Sequence, residues 1–494
     1  MRTNAIYLAC IFIVVIVLKC YGVTYTVGPT GMTGVDFNSI QAAINALDNI
    51  NPATDSDPNP YHTILVQPGV YNAGDEEAFQ THVVEGSGRG NASAGFTRSL
   101  IVVNDVDEDL DGDGYMNRYL DGLRIIGAGT NLTIIDGQKA VNPGRIMFIM
   151  NTNVVVRNMT LKGGYFSGGW KPWEGAGILA AGAGCLLEDL RIEDCQLLMS
   201  GDDWAGCVSI NGNKGVARRL EITKVQGSGG SGSGTALALG ASSAVTGLVD
   251  RCYVHGCWGI KAGIGVDIPT PATEIIYGSI VASNNVTVGA FWYSGGGWKT
   301  GYMINCTSAN NTGRPLALGD WMSWVRVLNC IFSDNGAPIV AGGGDGGYIY
   351  FMHNIIDEAG FVFTNKLIDG YSSGSSDDGS NVLPPVDPGF RDQSNYDYRL
   401  LQNSPAVDKI PLDGSGNNAF VLTHPAGFVY LDVDKSGSYN PGLDFIIKLR
   451  GYSPGDGDWV VTTDRLGNRR LSQFGLDAGC HEYRPPSGTV IYFK

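Results

Sequence analysis

The sequence predicts an all-β chain wound as a parallel β-helix solenoid, and three observations carry that expectation. A short segment recurs eight times, at Asn158, Asp189, Arg219, Arg251, Gly278, Asn305, Asn329 and His353, with starts 31, 30, 32, 27, 27, 24 and 24 residues apart. Within it the second and fourth positions are mostly apolar and the third is mixed, which is the period-two alternation of a strand with one face in a core. The composition fits many strands joined by many turns: Gly 71 of 494 residues, only 16% charged, and no strict glycine period. A strand that returns once per 24 to 32 residues is too distant for a hairpin, so it pairs in parallel with its own copies.

From the N-terminus, residues 1–22 read as an export signal, with Arg2, an apolar run over residues 5–18 and small Gly22 near the cleavage point. Fourteen apolar residues are short for a bilayer span, so no transmembrane span is expected after cleavage. Lys19 before Cys20 argues against a lipidated cysteine. Removing Arg2 and Lys19 moves the formal charge from −15 to −17, an unfavourable surface for nucleic acid. Eight cysteines remain, without the paired short spacings of a zinc site. The expected location is extracellular or at the cell surface, and no oligomeric state can be read.

Residues 23–71 should form an N-terminal cap and first coil. After a strand VTYTV, Ile40, Ala43, Ile44 and Leu47 lie on one face of a helix that plugs the open end. Residues 72–122 read as an acidic, glycine-rich insertion and residues 123–371 as the solenoid. Asn284, Asn311 and Asn335 fall at the seventh repeat position on consecutive coils, where stacked amides can hydrogen-bond along the axis. Cys306 and Cys330 lie one coil apart; a disulfide and buried thiols are both open, with thiols favoured because that column also holds plain apolar residues. SSGSSDDGSN, residues 372–381, opens a linker and closing module over 372–494, which is expected to seal the lower end.

With these repeats, and with NSPAVD at 403–408 and LDAGCHEY at 476–483, the mature chain resembles bacterial secreted right-handed parallel β-helix proteins of the pectate-lyase-like superfamily, carrying a C-terminal module similar to the choice-of-anchor Q type. The resemblance implies a right-handed solenoid and polysaccharide or cell-surface glycan as the partner. A surface anchor usually follows that module; here RPPSGTVIYFK follows.

The stretch GDDWAGC places Asp202 and Asp203 beside Trp204. Counted from the repeat starts, Trp173, Trp204, Trp292 and Trp321 fall 14 to 16 residues on, with Tyr293 next to Trp292. Acids share the zone: Glu174, Asp202, Asp203, Asp267, Asp320 and Asp345. If equal offset means equal place, this is one aromatic and acidic wall, where indoles pack on sugar faces and carboxylates bond hydroxyls. The alternative is that the indoles pack loops and the acids are solvated.

Carboxylates one coil apart stand about 5 Å from each other, near the separation of retaining glycosidases, so hydrolysis by these acids is the expected chemistry if the chain is an enzyme. Gly201, Asp202 and Asp203 resemble the G-D-D element of polygalacturonases, but the companion N-x-D and G-H-G elements are replaced by WKPWEG and GSGGSGSG. A calcium-dependent lyase would need a basic residue such as Lys171, Lys261, Lys299 or Arg314, with no diagnostic motif around any of them. The competing class is a non-catalytic surface, matrix or adhesion protein in which the solenoid is a spacer.

Two segments share D-x-D-x-[DS]-G-x-x-N-x-x-L-D, at 109–121 and 432–444, and resemble EF-hand calcium loops. They nominate Asp109, Asp111, Asp113, Asn117 and Asp121, and Asp432, Asp434, Ser436, Asn440 and Asp444, as ligands of a structural Ca2+. The bidentate glutamate is absent from both.

Overall fold

The computed structural model describes residues 22–48, 62–72, 80–84, 95–103, 120–140, 144–168, 175–199, 206–228, 234–240, 247–267, 274–294, 299–319, 323–339, 348–358, 365–368, 371–377, 381–383 and 386–406, with isolated short strands and single positions beyond. It is a right-handed parallel β-helix with a nine-stranded sheet, the first, and a 21-stranded sheet bent at a corner into two faces, counted here as the second and third sheets. One coil shows the path. Gly206–Ile210 lies in the first sheet, Val216–Arg218 in the second and Glu221–Thr223 in the third, and the chain re-enters the first sheet at Thr235–Gly240. Neighbouring rungs pair in parallel, for example Val208 with Leu237 and Ile222 with Val254.

Each recurring segment begins at a sharp corner between the second and third sheets. Asn158, Asp189, Arg219, Arg251, Gly278, Asn305, Asn329 and His353 all have positive φ, between 51° and 60°. One left-handed residue reverses the side-chain alternation and turns the chain, at a cost of about 1 kcal/mol for a non-glycine. The ladder is kept through the corner, since the amides of Arg219, Arg251 and Asn305 donate to Asp250 O, Tyr277 O and Leu328 O at 2.8 to 3.0 Å.

The inward columns are as the alternation predicts. Met159, Leu190, Leu220, Cys252, Ser279, Cys306, Cys330 and Asn354 are buried, as are Leu161, Ile192, Ile222, Val254, Val281, Ser308, Phe332 and Ile356. The amide column forms: Asn284 Nδ2 donates to Asn311 Oδ1 at 3.1 Å, Asn311 Nδ2 to Asn335 Oδ1 at 2.8 Å, and Asn335 Nδ2 to Glu358 Oε1 at 2.6 Å. A parallel column not foreseen links Asn354 Nδ2 to Asn381 Oδ1 at 2.8 Å. Cys306 and Cys330 are free buried thiols, with the Cys306 amide 3.4 Å from Cys330 Sγ. Burial pushes the Cys330 thiol well above its ordinary range.

Helix Ile40–Asp48 caps the N-terminal end with Ile40, Ala43, Ile44 and Leu47 in the core. Gln41 pins it to the first sheet by a pair of bonds to Val102, Oε1 accepting at 2.7 Å and Nε2 donating at 3.1 Å. The span read as an insertion contributes to the solenoid itself. Its strand Gly95–Val103 pairs in parallel with Arg145–Ile149 and carries the antiparallel strand Gln80–Val84.

The closing module begins as a further rung, Tyr371–Asp377 pairing in parallel with Tyr348–Met352 where a linker was expected. Its described residues 386–406 lie along the side of the third sheet, where Phe390, Tyr398, Leu400 and Ala406 form one cluster with Tyr253, Ile280, Ala282, Ala309, Ile331 and Ile355. The physical reason is the third repeat position. It is charged at Arg191 and Glu221 but apolar at Ile280, Ile331 and Ile355, and such a stripe needs a cover. Both tail motifs take part: Ala406 of NSPAVD is buried there, and the Gly479 amide of LDAGCHEY donates to Asn329 O at 2.7 Å. A Cβ at Gly479 would stand 2.8 Å from both Ile331 and Thr307 side chains, so only glycine fits that approach.

Candidate functional site

Equal offset from the repeat start does not mean equal register. Ile178, Val208, Leu237, Ile264, Phe291 and Leu316 pair in one column of the first sheet. They stand 20, 19, 18, 13, 13 and 11 residues beyond Asn158, Asp189, Arg219, Arg251, Gly278 and Asn305. The coils shorten by losing residues ahead of the first-sheet strand, so a fixed offset slides across that strand. Trp173 and Glu174 precede Gly175–Ala180, and Asp202, Asp203 and Trp204 precede Gly206–Ile210. Trp292 lies inside Val286–Ser294, Asp267 ends Ile260–Asp267, and Asp320 and Trp321 follow Arg314–Leu318. Of the four tryptophans only Trp292 lies within the described residues, and equal offsets along the sequence do not by themselves place the others on its wall.

Trp173, Glu174, Asp202, Asp203, Trp204, Asp320, Trp321 and Asp345 lie outside the described residues, and Asp267 is described in its backbone alone. The two remaining members of the expected wall are buried. Trp292 is 5% exposed, packed on Ala262 and Ala317 with Lys261 Nζ 4.2 Å above its ring. Tyr293 is fully buried, and its hydroxyl donates to Tyr302 O at 2.8 Å. Burial raises its pKa well above the phenol range. Both are packing residues, and a surface ligand has no face of Tyr293 to meet. Lys261, one of the basic residues named for lyase chemistry, is itself buried against that indole.

Of the calcium-loop positions only Asp121 is described. Its Oδ1 accepts from the Thr152 amide at 2.7 Å and from Asn151 Nδ2 at 3.4 Å, tying one coil to the next. Asp109, Asp111, Asp113, Asn117, Asp432, Asp434, Ser436, Asn440 and Asp444 lie outside the described residues, and among the described residues no group of three or more His, Cys, Asp or Glu side chains is placed to hold a metal.

The structure shows an aromatic surface on a different wall, the outer face of the second sheet. Strand Ser323–Leu328 pairs in parallel with Tyr348–Met352, with Trp324 opposite Tyr348 and Arg326 opposite Tyr350. Val325, Val327, Ile349 and Phe351 point inward, so alternation sends Trp324, Arg326, Tyr348 and Tyr350 outward. Trp324 is 41% and Tyr350 43% exposed. Ring centroids are 6.1 Å apart for Trp324 and Tyr348, and 5.5 Å for Tyr348 and Tyr350. One coil back, Arg326 Cζ lies 5.8 Å from the Tyr302 ring centroid. The signal was present in SWVRVL and GYIYF, as aromatics alternating with apolar residues, but a search keyed to acids beside tryptophan passes over it. Such rings offer apolar faces with a hydrogen-bonding edge, the chemistry that meets a sugar ring.

No family model matches the chain, and no curated protein does. Among solved structures, the chain is similar to pectate lyase Pel9A, at 13% identity over 79% of this chain and 92% of that one, with a TM-score of 0.46. It is also similar to a rhamnogalacturonan lyase, at 10% identity over 73% of this chain and 87% of that chain, TM-score 0.41. The A-module of mannuronan C-5 epimerase AlgE6 from Azotobacter vinelandii matches at 14% identity over 70% of this chain and 95% of its own, TM-score 0.32. The activities in those names belong to those proteins.

Proposed function

We propose that the chain is an exported protein that binds a polysaccharide or cell-surface glycan along the outside of its solenoid, with Trp324, Tyr348 and Tyr350 as the sugar-facing rings. The observation that carries this reading is the strip of three neighbouring aromatic rings on two consecutive coils, with Trp324 and Tyr350 exposed and Tyr348 half-buried between them. Exposed apolar rings are retained on a soluble surface at some risk of aggregation, and a ligand with apolar ring faces accounts for them. Rungs spaced about 4.8 Å apart match the strip to one or two sugar units rather than to a small solute.

Cleavage is a further part of the reading. It assigns acid and base roles to carboxylates among Asp202, Asp203, Glu174, Asp267, Asp320 and Asp345, and a structural role to Ca2+ held by the loops at 109–121 and 432–444. Affinity electrophoresis through gels cast with plant and algal polysaccharides tests the binding. Retardation by at least one polymer, reduced about tenfold in affinity by Trp324→Ala, supports it. Unretarded migration in every gel refutes it. Release of reducing ends or unsaturated products, lost in Asp203→Asn with folding intact, separates an enzyme from a spacer or adhesin.

A further inference from the structure

The tail is held to the third sheet by a column of polar residues at the edge of that sheet. Ser283, Asn310 and Asp334 take the sixth repeat position on three consecutive coils, each at a φ of 54° or 55°. The first two grip the tail: Ser283 Oγ lies 3.0 Å from the Tyr398 hydroxyl, and Asn310 Nδ2 donates to Gln393 Oε1 at 2.8 Å and to that hydroxyl at 3.4 Å. The third is a carboxylate. Asp334 accepts from Ser333 Oγ at 3.2 Å and from no tail residue among those described.

Three more acids share its surroundings. Ser333 Oγ also lies 3.5 Å from Asp357 Oδ2 on the next rung, so one hydroxyl hydrogen stands between two carboxylates. Glu358 follows, 1% exposed, its Oε1 accepting from Asn335 Nδ2 at 2.6 Å. The tail supplies the fourth, because the Val386 amide donates to the Asp357 carboxylate and Asp387 comes next in the chain. No described lysine, arginine or histidine is ion-paired with any of the four. The arginines of the tail serve Asp397 instead: Arg399 Nε donates to its Oδ1 at 2.7 Å, and the charge of Arg391 favours the same ionised carboxyl. His353 stands at the opposite corner of the Asp357 rung, and residues 381–383 beyond that rung carry no titratable side chain.

We infer that this seam is a pH-operated latch, in which protonated Asp357 and Glu358 let the start of the tail close on the third sheet and their ionisation, beside Asp334 and Asp387, loosens it. Like charges gathered with no cation between them disfavour each other's ionised form. Opening the seam carries Asp387 away and lets water reach the others, which relieves the repulsion. The titration runs in the matching direction. Burial lifts Asp357 above its ordinary range, with the charges of Asp334 and Asp387 adding to the rise. Burial likewise lifts Glu358 to about 7, with Asp334 and Asp357 adding. Carboxyls that hold their protons more tightly in the closed seam than in water favour closure when protonated. The Glu358 part of that support is complete below about pH 4.5 and is lost as pH rises through about 7, and the Asp357 part goes as pH climbs above its ordinary 3.8. Phe390, Leu400 and Ala406 do not titrate, so the apolar cluster stays and the response is a local opening at the start of the tail.

Hydrogen exchange read by mass spectrometry on the full chain at pH 4.5 and pH 8, with intrinsic rates divided out, tests the latch. Protection of peptides spanning 386–392 should fall at least about tenfold from the lower to the higher pH, while that of Val208, Leu237 and Ile264 in the first sheet holds. Asp357→Asn combined with Glu358→Gln should leave 386–392 equally protected at both pH values. Asp334→Asn alone, at an exposed position, should raise protection at pH 8. Two results overturn the proposal. One is equal protection of the wild type at pH 4.5 and pH 8. The other is a double variant less protected at both pH values with its slope unchanged, the outcome of a merely structural role for these side chains.

Discussion

The outer wall of the third sheet is built twice on the same backbone with opposite chemistry. In the early coils its third repeat position holds Thr160, Arg191 and Glu221, flanked by the ion pairs of Arg219 with Asp189 and of Lys224 with Glu193. In the later coils the same column holds Tyr253, Ile280, Thr307, Ile331 and Ile355, apolar but for the one buried threonine, and residues 386–406 lie over it. The corner turn and rung pairing are the same in both halves. The difference teaches that the solenoid backbone specifies a path, while the outward column alone decides whether a stretch stays in water or takes a cover. The boundary falls at Tyr253 and His255, whose stacked rings, 4.3 Å apart, meet Tyr396 of the tail.

The largest expected effect breaks the covered half. Ile331→Asp sets an unpaired carboxylate at a position 1% exposed, under Gly479 and among tail residues, and should cost about 4 kcal/mol. Denaturant unfolding measures it, and limited proteolysis should show faster cutting within 386–406. A variant as stable as wild type would mean that the tail is not docked there.

The amide column is the next test, because it runs beneath the same covered coils. Asn311 donates to Val281 O at 2.9 Å and to Asn335, and accepts from Asn284, so Asn311→Ala leaves several buried partners unmatched. The expected loss is about 2 to 3 kcal/mol by chemical denaturation. Asn158→Ala, at a half-buried corner of the charged half, removes no such partner and should lose only about 1 kcal/mol of backbone preference.

A pH dependence separates the halves as well. Burial raises Glu358, at the end of the amide column, to about 7, with hydrogen bonds from Asn335 opposing the shift. A folded-state pKa above the unfolded value favours the protonated fold. Its stabilising contribution is complete below about pH 4.5 and is lost as pH rises through about 7. Stability should therefore decline across that window by about 2 to 3 kcal/mol, and Glu358→Gln should flatten the profile in thermal melts at pH 5 and pH 8. An unchanged slope in the variant would place the titration elsewhere. The smallest effect belongs to the open wall: Arg157, 41% exposed and 4.0 Å from Glu188, should change stability by less than about 0.5 kcal/mol when replaced by alanine.

The fold was legible because its signals are local and repeat. Apolar positions two apart recur in every rung, and an error in one copy is corrected by the others, whereas the two left-handed residues per coil, at the first and sixth repeat positions, are of residue types too varied to announce themselves. Ile40, Ala43, Ile44 and Leu47 read as a cap for the same reason, since a 3.6-residue stripe is self-evident. The site was far less legible. Its reading assumed that residues at equal offsets stack, yet the loops ahead of the first sheet shorten along the chain, so Trp173 precedes its strand while Trp292 lies inside its own. Trp292 and Tyr293 looked like surface aromatics and are packing residues, because both the inner and the outer neighbours of that strand are buried. The lateral docking of 386–406 was not read, because covering the Ile280, Ile331 and Ile355 stripe is a long-range event that no local pattern in that segment announces.

The most direct measurement is a structure of the full chain with an oligosaccharide taken from whichever polymer retards it. The account predicts sugar rings lying over Trp324, Tyr348 and Tyr350 on the second sheet. A saturating ligand seated elsewhere, with those three rings bare, would contradict it.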